Sequence, residues 1–161
     1  MKRPSVSGPD ERLVVRDAPL MSLRIWTTSG FRSGSGLPSS VRVEWAGRIG
    51  HPSSYGMLGG TRSPISRVRV FPSDAKFRDA LAARADDVRW GLPAEYESAV
   101  VDALHDQLLT VSVSQAAHGT VGSSPHVFRA LTNLLCRLLA EGVPLEDSEI
   151  WRLRDRAWNQ A

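Results

Sequence analysis

The most restrictive feature of this sequence is the run from Ser123 to Gly142, in which large apolar residues return every three to four positions. This spacing places them on one face of a helix, which must be buried against another layer of structure. Ser123 or Ser124 is placed to cap the helix, Pro125 suits its first turn and Gly142 suits its end. The apolar face consists of Phe128, Leu131, Leu134, Leu135, Leu138 and Leu139.

Alternating apolar and polar residues predict the strands of that second layer. The alternating runs are residues 23–27, 41–45, 67–71 and 109–114. Each run puts apolar side chains on one face of a sheet and arginine or other polar side chains on the opposite face. Glycine, proline and serine are frequent over residues 47–66, so we expect a loop there, mobile around residues 58–60.

Three more segments have helical spacing. Pro93 and the apolar stripe after it predict a helix to about Leu108, and residues 146–158 predict an amphipathic C-terminal helix. Phe77, Leu81 and Ala85 are spaced by four, which predicts a short helix within residues 73–88.

The order of these elements predicts an α+β fold, a two-layer sandwich with a mainly antiparallel sheet and the helices on one face. The length of 161 residues and the 42% hydrophobic content suit one domain. We expect residues 1–20 to be a flexible N-terminal arm and residues 21–161 to form the domain, which includes an added C-terminal helix.

Cysteine content and hydropathy predict the compartment. Cys136 is the only cysteine, and no cysteine or histidine cluster has zinc spacing, so we expect no disulfide, no metal and no cofactor. No apolar run approaches the roughly 20 residues that span a bilayer, and the N-terminus lacks a secretory signal. We expect a cytoplasmic protein without membrane contact.

The chain is basic through arginine. Its formal net charge is +3 with a pI of about 9.6, and Lys2 and Lys76 are its only lysines. Guanidinium groups suit bidentate binding of phosphate, sulfate or carboxylate. A GC-rich genome produces the same bias, so basicity alone does not establish a nucleic-acid partner.

Three segments resemble domain IV of translation elongation factor G. Residues 91–100 (GLPAEYESAV) resemble the opening of the family's first helix, and residues 117–129 (AHGTVGSSPHVFR) resemble its strand-end loop and second helix. A weaker similarity lies in residues 58–62 (LGGTR), before a strand. The resemblance spans residues 41–139 and implies a stand-alone domain IV with a left-handed β-α-β crossover, as in a ribosomal protein domain.

The resemblance also implies a function in translation. The histidine that matches His118 lies at the tip of the family's domain, which enters the decoding region of the small ribosomal subunit. This chain departs from the family in several ways. It lacks a Walker-type motif and the rest of the GTPase, Gly122 replaces the family's aspartate, and the loop around residues 106–109 is shortened.

The candidate site residues follow from the resemblance and from the charge pattern. Each also has a purely structural alternative: serines before a proline cap helices, arginines on strands are solvated, and helix tryptophans enter the core. The candidates for RNA or anion binding are His118, Arg62, Arg67, Arg69, Ser123 and Ser124. The candidates for a partner interface are Trp151 and Trp158.

Three functions stay open from the sequence. The first is a non-catalytic binding module that engages ribosomal or other RNA through the loops around Arg62 and His118. The second is an accessory subunit that docks on a single protein partner and stabilises it, for example an enzyme of specialised biosynthesis. The third is a small enzyme acting on an anionic metabolite, although no catalytic motif stands out. The oligomeric state also stays open, and a hetero-complex is compatible with the sequence.

Overall fold

A computed structural model describes residues 11–28, 37–47, 54–73, 75–81 and 86–161 of the chain. The strands are β1 (Glu11–Ala18), β2 (Met21–Thr28), β3 (Ser40–Gly47), β4 (Ser54–Arg62), β5 (Arg67–Val68), β6 (Val88–Trp90) and β7 (Val111–Gly119). The helices are α1 (Ala94–His105), α2 (Pro125–Glu141) and α3 (Asp147–Asn159). Within the described ranges, no helix has both the length and the apolarity needed to cross a membrane.

The seven strands form one mixed sheet in the order β1-β2-β3-β4-β7-β5. Strand β6 also pairs with β7, at the end of β7 opposite to the residues that pair with β5. Strands β1 to β4 are successive antiparallel neighbours, and β7 is antiparallel to β4. Strand β5 is parallel to β7, and helix α1 lies between them in the sequence, so this connection is a crossover. The predicted α+β class with a mainly antiparallel sheet is confirmed.

One face of the sheet carries the main core, to which all three helices contribute. Leu23, Ile25 and Val43 point to this face and are fully buried. Helix α2 approaches strand β4 closely at Gly56, where a Cβ atom would lie 2.6 Å from Leu131 Cδ1. The absence of a side chain at Gly56 therefore sets how near the helix layer comes to the sheet.

The opposite face is only partly covered. A second apolar cluster there includes Tyr55, Met57 and Ala117, and Phe77, Ala80, Leu81 and Trp90 pack against it. Beneath this cover, the fully buried carboxylate of Glu44 accepts hydrogen bonds from Tyr55 Oη at 2.6 Å and from Arg24 Nε at 2.7 Å. The half of this face that lies towards residues 28, 40 and 61 has no such cover among the described residues.

The prediction of a loop over residues 47–66 is wrong for most of the residues that the structure describes there. Residues 54–62 form β4, in the middle of the sheet. Tyr55 and Met57 are buried on one face, and Leu58 is buried on the other. A strand covered on both faces shows no polar alternation, and its glycines suggested a loop.

The short helix expected within residues 73–88 is also wrong where it can be checked. The described residues there form a bridge between Lys76 and Arg89, turns and the start of β6. Residues 74 and 82–85 lie outside the described part. The arm expected over residues 1–20 falls outside it up to residue 10, and Glu11–Ala18 is strand β1.

Candidate nucleic-acid interface

His118 lies near the end of β7, directly opposite Arg89 of β6. Its Nδ1 is 2.9 Å from the carbonyl oxygen of Gly91, which can only accept a hydrogen bond. Nδ1 therefore carries the proton in neutral His118, and Nε2 is left as the acceptor. Arg89 forms an ion pair with Asp87 at 2.8 Å, so a cation and an imidazole meet at this end of the sheet.

Both candidate serines hold the segment between β7 and α2. Ser124 is the N-cap of α2, and its Oγ accepts from the backbone N–H of Val127 at 3.3 Å, as the sequence predicted. Ser123 Oγ donates to the Tyr55 carbonyl at 2.7 Å and accepts from the Gly119 N–H at 2.9 Å. Their hydroxyl groups are thus occupied by the protein's own backbone.

Arg62 binds two backbone carbonyl groups. Its guanidinium donates to the oxygen of Leu139, in the last turn of α2, and to the oxygen of Pro38, each at 2.9 Å. Arg67 Nε donates to Ser112 Oγ at 3.3 Å, and Arg69 is exposed. Of these three arginines, Arg62 has the clearest structural role.

The sequence-predicted RNA-binding residues divide between two ends of β7. Arg62 and Arg67 pair with Val111 and Ser112, at the start of the strand. His118 lies six residues beyond Ser112, which is roughly 20 Å along an extended strand. The structure therefore brings His118 together with the two serines but not with the arginines, and RNA binding by these residues stays a prediction.

The two candidate interface tryptophans of α3 pack against the main core. The ring of Trp158 lies 4.8 Å from that of Trp45, centroid to centroid. The Arg154 guanidinium lies 4.3 Å from the Trp45 ring and 4.5 Å from the Trp158 ring. Trp151 is half-buried, and a role of either tryptophan in a partner interface stays a prediction.

A row of side chains that the sequence analysis did not single out as a site crosses the open half of the sheet. The strand registers align Leu13, Trp26, Arg42, Gly59 and Gln115 on five adjacent strands. A Cβ atom at Gly59 would lie 3.0 Å from Gln115 Oε1 and 3.2 Å from Arg42 Cβ. Because Gly59 has no side chain, Arg42 and Gln115 can occupy the space above it.

Arg42 is stacked on Trp26, with the guanidinium carbon 4.0 Å from the ring centroid. Among the described residues Arg42 has no ion pair, and its Nε is buried without a hydrogen-bond partner. Arg24 also approaches Trp26, at 5.2 Å, but Glu44 neutralises its charge. Arg42 is therefore a cation that this face offers to a ligand.

A parallel row beside it consists of hydroxyl groups. Its members are Thr28, Ser40, Thr61 and Ser112, with Glu11 at one end and Arg67 at the other. Members of both rows line a shallow groove of about 180 Å³, namely Glu11, Trp26, Thr28, Ser40, Arg42, Thr61 and Gln115. The groove offers hydrogen-bond donors and acceptors in a line, an aromatic ring and an arginine that has no counterion in the described part of the chain.

No protein-family model, curated protein or solved structure matches this chain.

A second groove, of about 400 Å³, lies between the end of α1 and the face of α2, and Gln107, Asn133 and Arg137 are among its lining residues. Neither groove includes His118, so neither unites that histidine with an arginine. Over the described ranges, no group of three or more histidine, cysteine or acidic residues could hold a metal ion.

The signal for the sheet-face groove was present in the sequence. The alternation over residues 23–27 places Trp26 on the polar face, and the alternation over residues 41–45 does the same for Arg42. A large aromatic residue on a polar strand face is the uncommon feature. The sequence does not show the strand register, which puts these two residues side by side.

Proposed function

We propose that this protein is a non-catalytic module that binds single-stranded RNA on the open half of its sheet. The observation that carries the proposal is the Arg42 guanidinium, which is stacked on Trp26 in a polar row and has neither a counterion nor a cover among the residues that the structure describes. Proteins that bind single strands combine arginine or aromatic surfaces, on which bases stack, with nearby positive charge for the phosphates.

The two rows divide the recognition chemistry between them. A base stacks on the Arg42–Trp26 pair, and the amide of Gln115 hydrogen-bonds a base edge. The hydroxyl row next to it provides partners for ribose 2′-hydroxyl groups, which distinguish RNA from DNA. Arg67, at the end of the hydroxyl row, meets a phosphate.

The polarity of the face favours RNA over a protein as its occupant. A protein-binding surface is centred on buried apolar and aromatic side chains with a polar rim. Here the centre is Arg42 and the hydroxyl groups, whereas the exposed apolar residue Leu13 lies at the edge.

We further propose that the domain is related to domain IV of elongation factor G and that its β5–α1–β7 crossover is left-handed. The parallel pairing of β5 with β7 supports a crossover at this place in the fold, and the left hand follows from the proposed relationship alone. The two stronger sequence matches lie at the start of α1 and at the β7–α2 connection. In this proposal the module binds RNA without GTPase activity of its own, and it acts in translation or on another RNA.

The test is fluorescence anisotropy of a labelled oligouridine titrated with the protein and its variants. Trp26→Leu should weaken binding by about 5- to 150-fold, because stacking of one base contributes about 1–3 kcal/mol. Arg42→Lys keeps the charge and loses the planar surface, so it should weaken binding more than Arg156→Gln. Arg156 lies exposed on α3, which makes it a matched loss of one charge on the helix side.

Circular dichroism of each variant checks that the fold persists, and the affinity of the parent protein should fall as salt rises. A different outcome would place the site elsewhere. If His118→Ala abolishes binding while Trp26→Leu and Arg42→Lys leave it intact, the strand-end loop is the RNA site. If no variant matters and the parent does not bind oligouridine, the RNA proposal is wrong.

A further inference from the structure

Strand β1 forms a long free edge of the sheet. It pairs with β2 over all eight of its residues, and within the described part of the chain no strand pairs on its other side. The N–H and C=O groups on that side are available to another extended chain. Strand β5, in contrast, is only two residues long.

The outward-facing side chains of this edge are apolar at its centre. Leu13 is 51% exposed and Val15 is 43% exposed. Leu13 lies opposite Trp26 and Val15 opposite Arg24, so both point to the face away from the helices. Arg12, Val14 and Arg16 point to the helix face, and Val14 pairs there with Ile25.

The charges of β1 are symmetric about Val14. Reading from residue 11 to residue 17, the order is acid, base, three apolar residues, base, acid. A two-fold antiparallel copy centred on Val14 would therefore place Arg12 opposite Arg16 and Glu11 opposite Asp17. Like charges directly opposite each other are destabilising.

Shifted two-fold pairings fare no better. Centring the pair on Val15 places Leu13 opposite Asp17 and Val14 opposite Arg16. Centring it on Leu13 places Glu11 opposite Val15. Because opposed residues share a face, every such pairing either opposes like charges or puts a charge against an apolar side chain. The charge pattern of β1 therefore disfavours pairing with a second copy of this strand.

We propose that β1 accepts an extended segment of a different protein, which adds a strand to the sheet. The segment carries the complementary order of base, acid, three apolar residues, acid, base. Backbone hydrogen bonds to the edge supply part of the affinity, and the alternate side chains supply specificity. Arg16 already forms an ion pair with Asp147 of α3, so the carboxylate that the segment places opposite Arg16 contributes less than the other three charge pairs.

The test uses two synthetic peptides of the same composition, KEVVLEK and its charge-exchanged form EKVVLKE, each titrated into the full chain at up to millimolar concentration. Amide chemical shifts from nuclear magnetic resonance report binding. The first peptide should perturb the amides of β1 and bind about tenfold more tightly than the second, because four cross-strand charge pairs change sign. The double variant Glu11→Lys, Arg12→Glu should lose most of that preference.

Three results would overturn the proposal: equal binding of the two peptides, no perturbation of β1 at millimolar peptide, or a dimer in sedimentation that Val15→Lys dissociates. Oligouridine binding, measured on the same samples, separates this proposal from the RNA proposal. Trp26→Leu should weaken the RNA complex and leave the charge preference between the two peptides unchanged.

Discussion

Glu44 shows how burial assigns a role that its sequence position does not suggest. The strand alternation puts it on the polar face, yet Leu81 and the residues packed with it on the second apolar cluster cover that part of the face, and the side chain is 0% exposed. Arg24 neutralises its charge, and Tyr55 Oη and the Leu81 N–H both donate to its Oε2. Because all these groups bind one buried carboxylate, Glu44 holds the backbone at Leu81 against the sheet.

The same contact makes Tyr55 sensitive to alkali. Burial, followed by the negative charge of Glu44 and their hydrogen bond, raises the pKa of Tyr55 far above its usual 10.0. Since the raised pKa belongs to the folded state, Tyr55 contributes stability that is complete below about pH 10 and is lost as the pH rises further.

Tyr55→Phe should therefore lower the free energy of unfolding by about 2 kcal/mol at neutral pH. It should also flatten the loss of stability above about pH 10. Urea unfolding between neutral pH and pH 11 measures both effects. Glu44→Gln is the matched control: it removes the charge but not the burial, so the alkaline loss should persist. An unchanged alkaline slope in Tyr55→Phe would contradict this assignment.

At the scale of elements, Arg62 joins three parts of the fold. It lies at the end of β4, and its guanidinium binds the last turn of α2 through Leu139 and the segment that leads into β3 through Pro38. A cation at the C-terminal end of a helix also complements the helix dipole. The resemblance made Arg62 a candidate for RNA binding. In the structure its guanidinium stabilises the contact between β4, α2 and the segment before β3.

Arg62→Ala should lower the free energy of unfolding by about 2–3 kcal/mol, because two hydrogen bonds from a charged donor are lost and partly buried carbonyls are left without it. Chemical denaturation measures this change. Arg69→Ala, on an exposed site in the same part of the chain, should change stability by less than about 0.5 kcal/mol. Equal effects of the two substitutions would show that the Arg62 contacts contribute little.

Strand β4 shows why some elements could not be predicted. Its sequence, SYGMLGGTR, combines three glycines with buried residues on both faces, so neither a strand period nor a loop composition describes it. Gly56 admits helix α2, and a Cβ at Gly60 would meet the Ser112 carbonyl oxygen at 2.5 Å, next to the register shift of the β4–β7 pair. Both glycines are required because other elements approach the backbone closely, and the sequence of β4 alone does not show this.

At the scale of the whole molecule, Cys136 reports on the integrity of the core. It lies in α2, is 2% exposed and belongs to the cluster that joins the helices to the sheet. Burial raises the pKa of its thiol to about 12. The reactive thiolate is therefore rare in the folded protein at neutral pH, and the stability linked to this group is lost only as the pH rises from about 9 towards 12.

Cys136 should consequently resist alkylation at pH 8 until the whole domain unfolds. The rate of labelling, measured by mass spectrometry across a urea series, should rise in step with the loss of circular dichroism. Arg62→Ala should shift both curves to lower urea by the same amount. Fast labelling without denaturant would instead show that α2 opens locally.

The sequence alone determined the helices α1, α2 and α3, the strand character of several segments and the α+β class. These depend on periodicity and capping, which are local properties of the chain, as Ser124 and Gly142 of α2 illustrate. Only the tertiary structure decided that β4 is central, that Arg62 and His118 lie apart and that Arg42 stacks on Trp26. The physical reason is that strand register and cover by distant segments determine which residues become neighbours, and neither is encoded within one element.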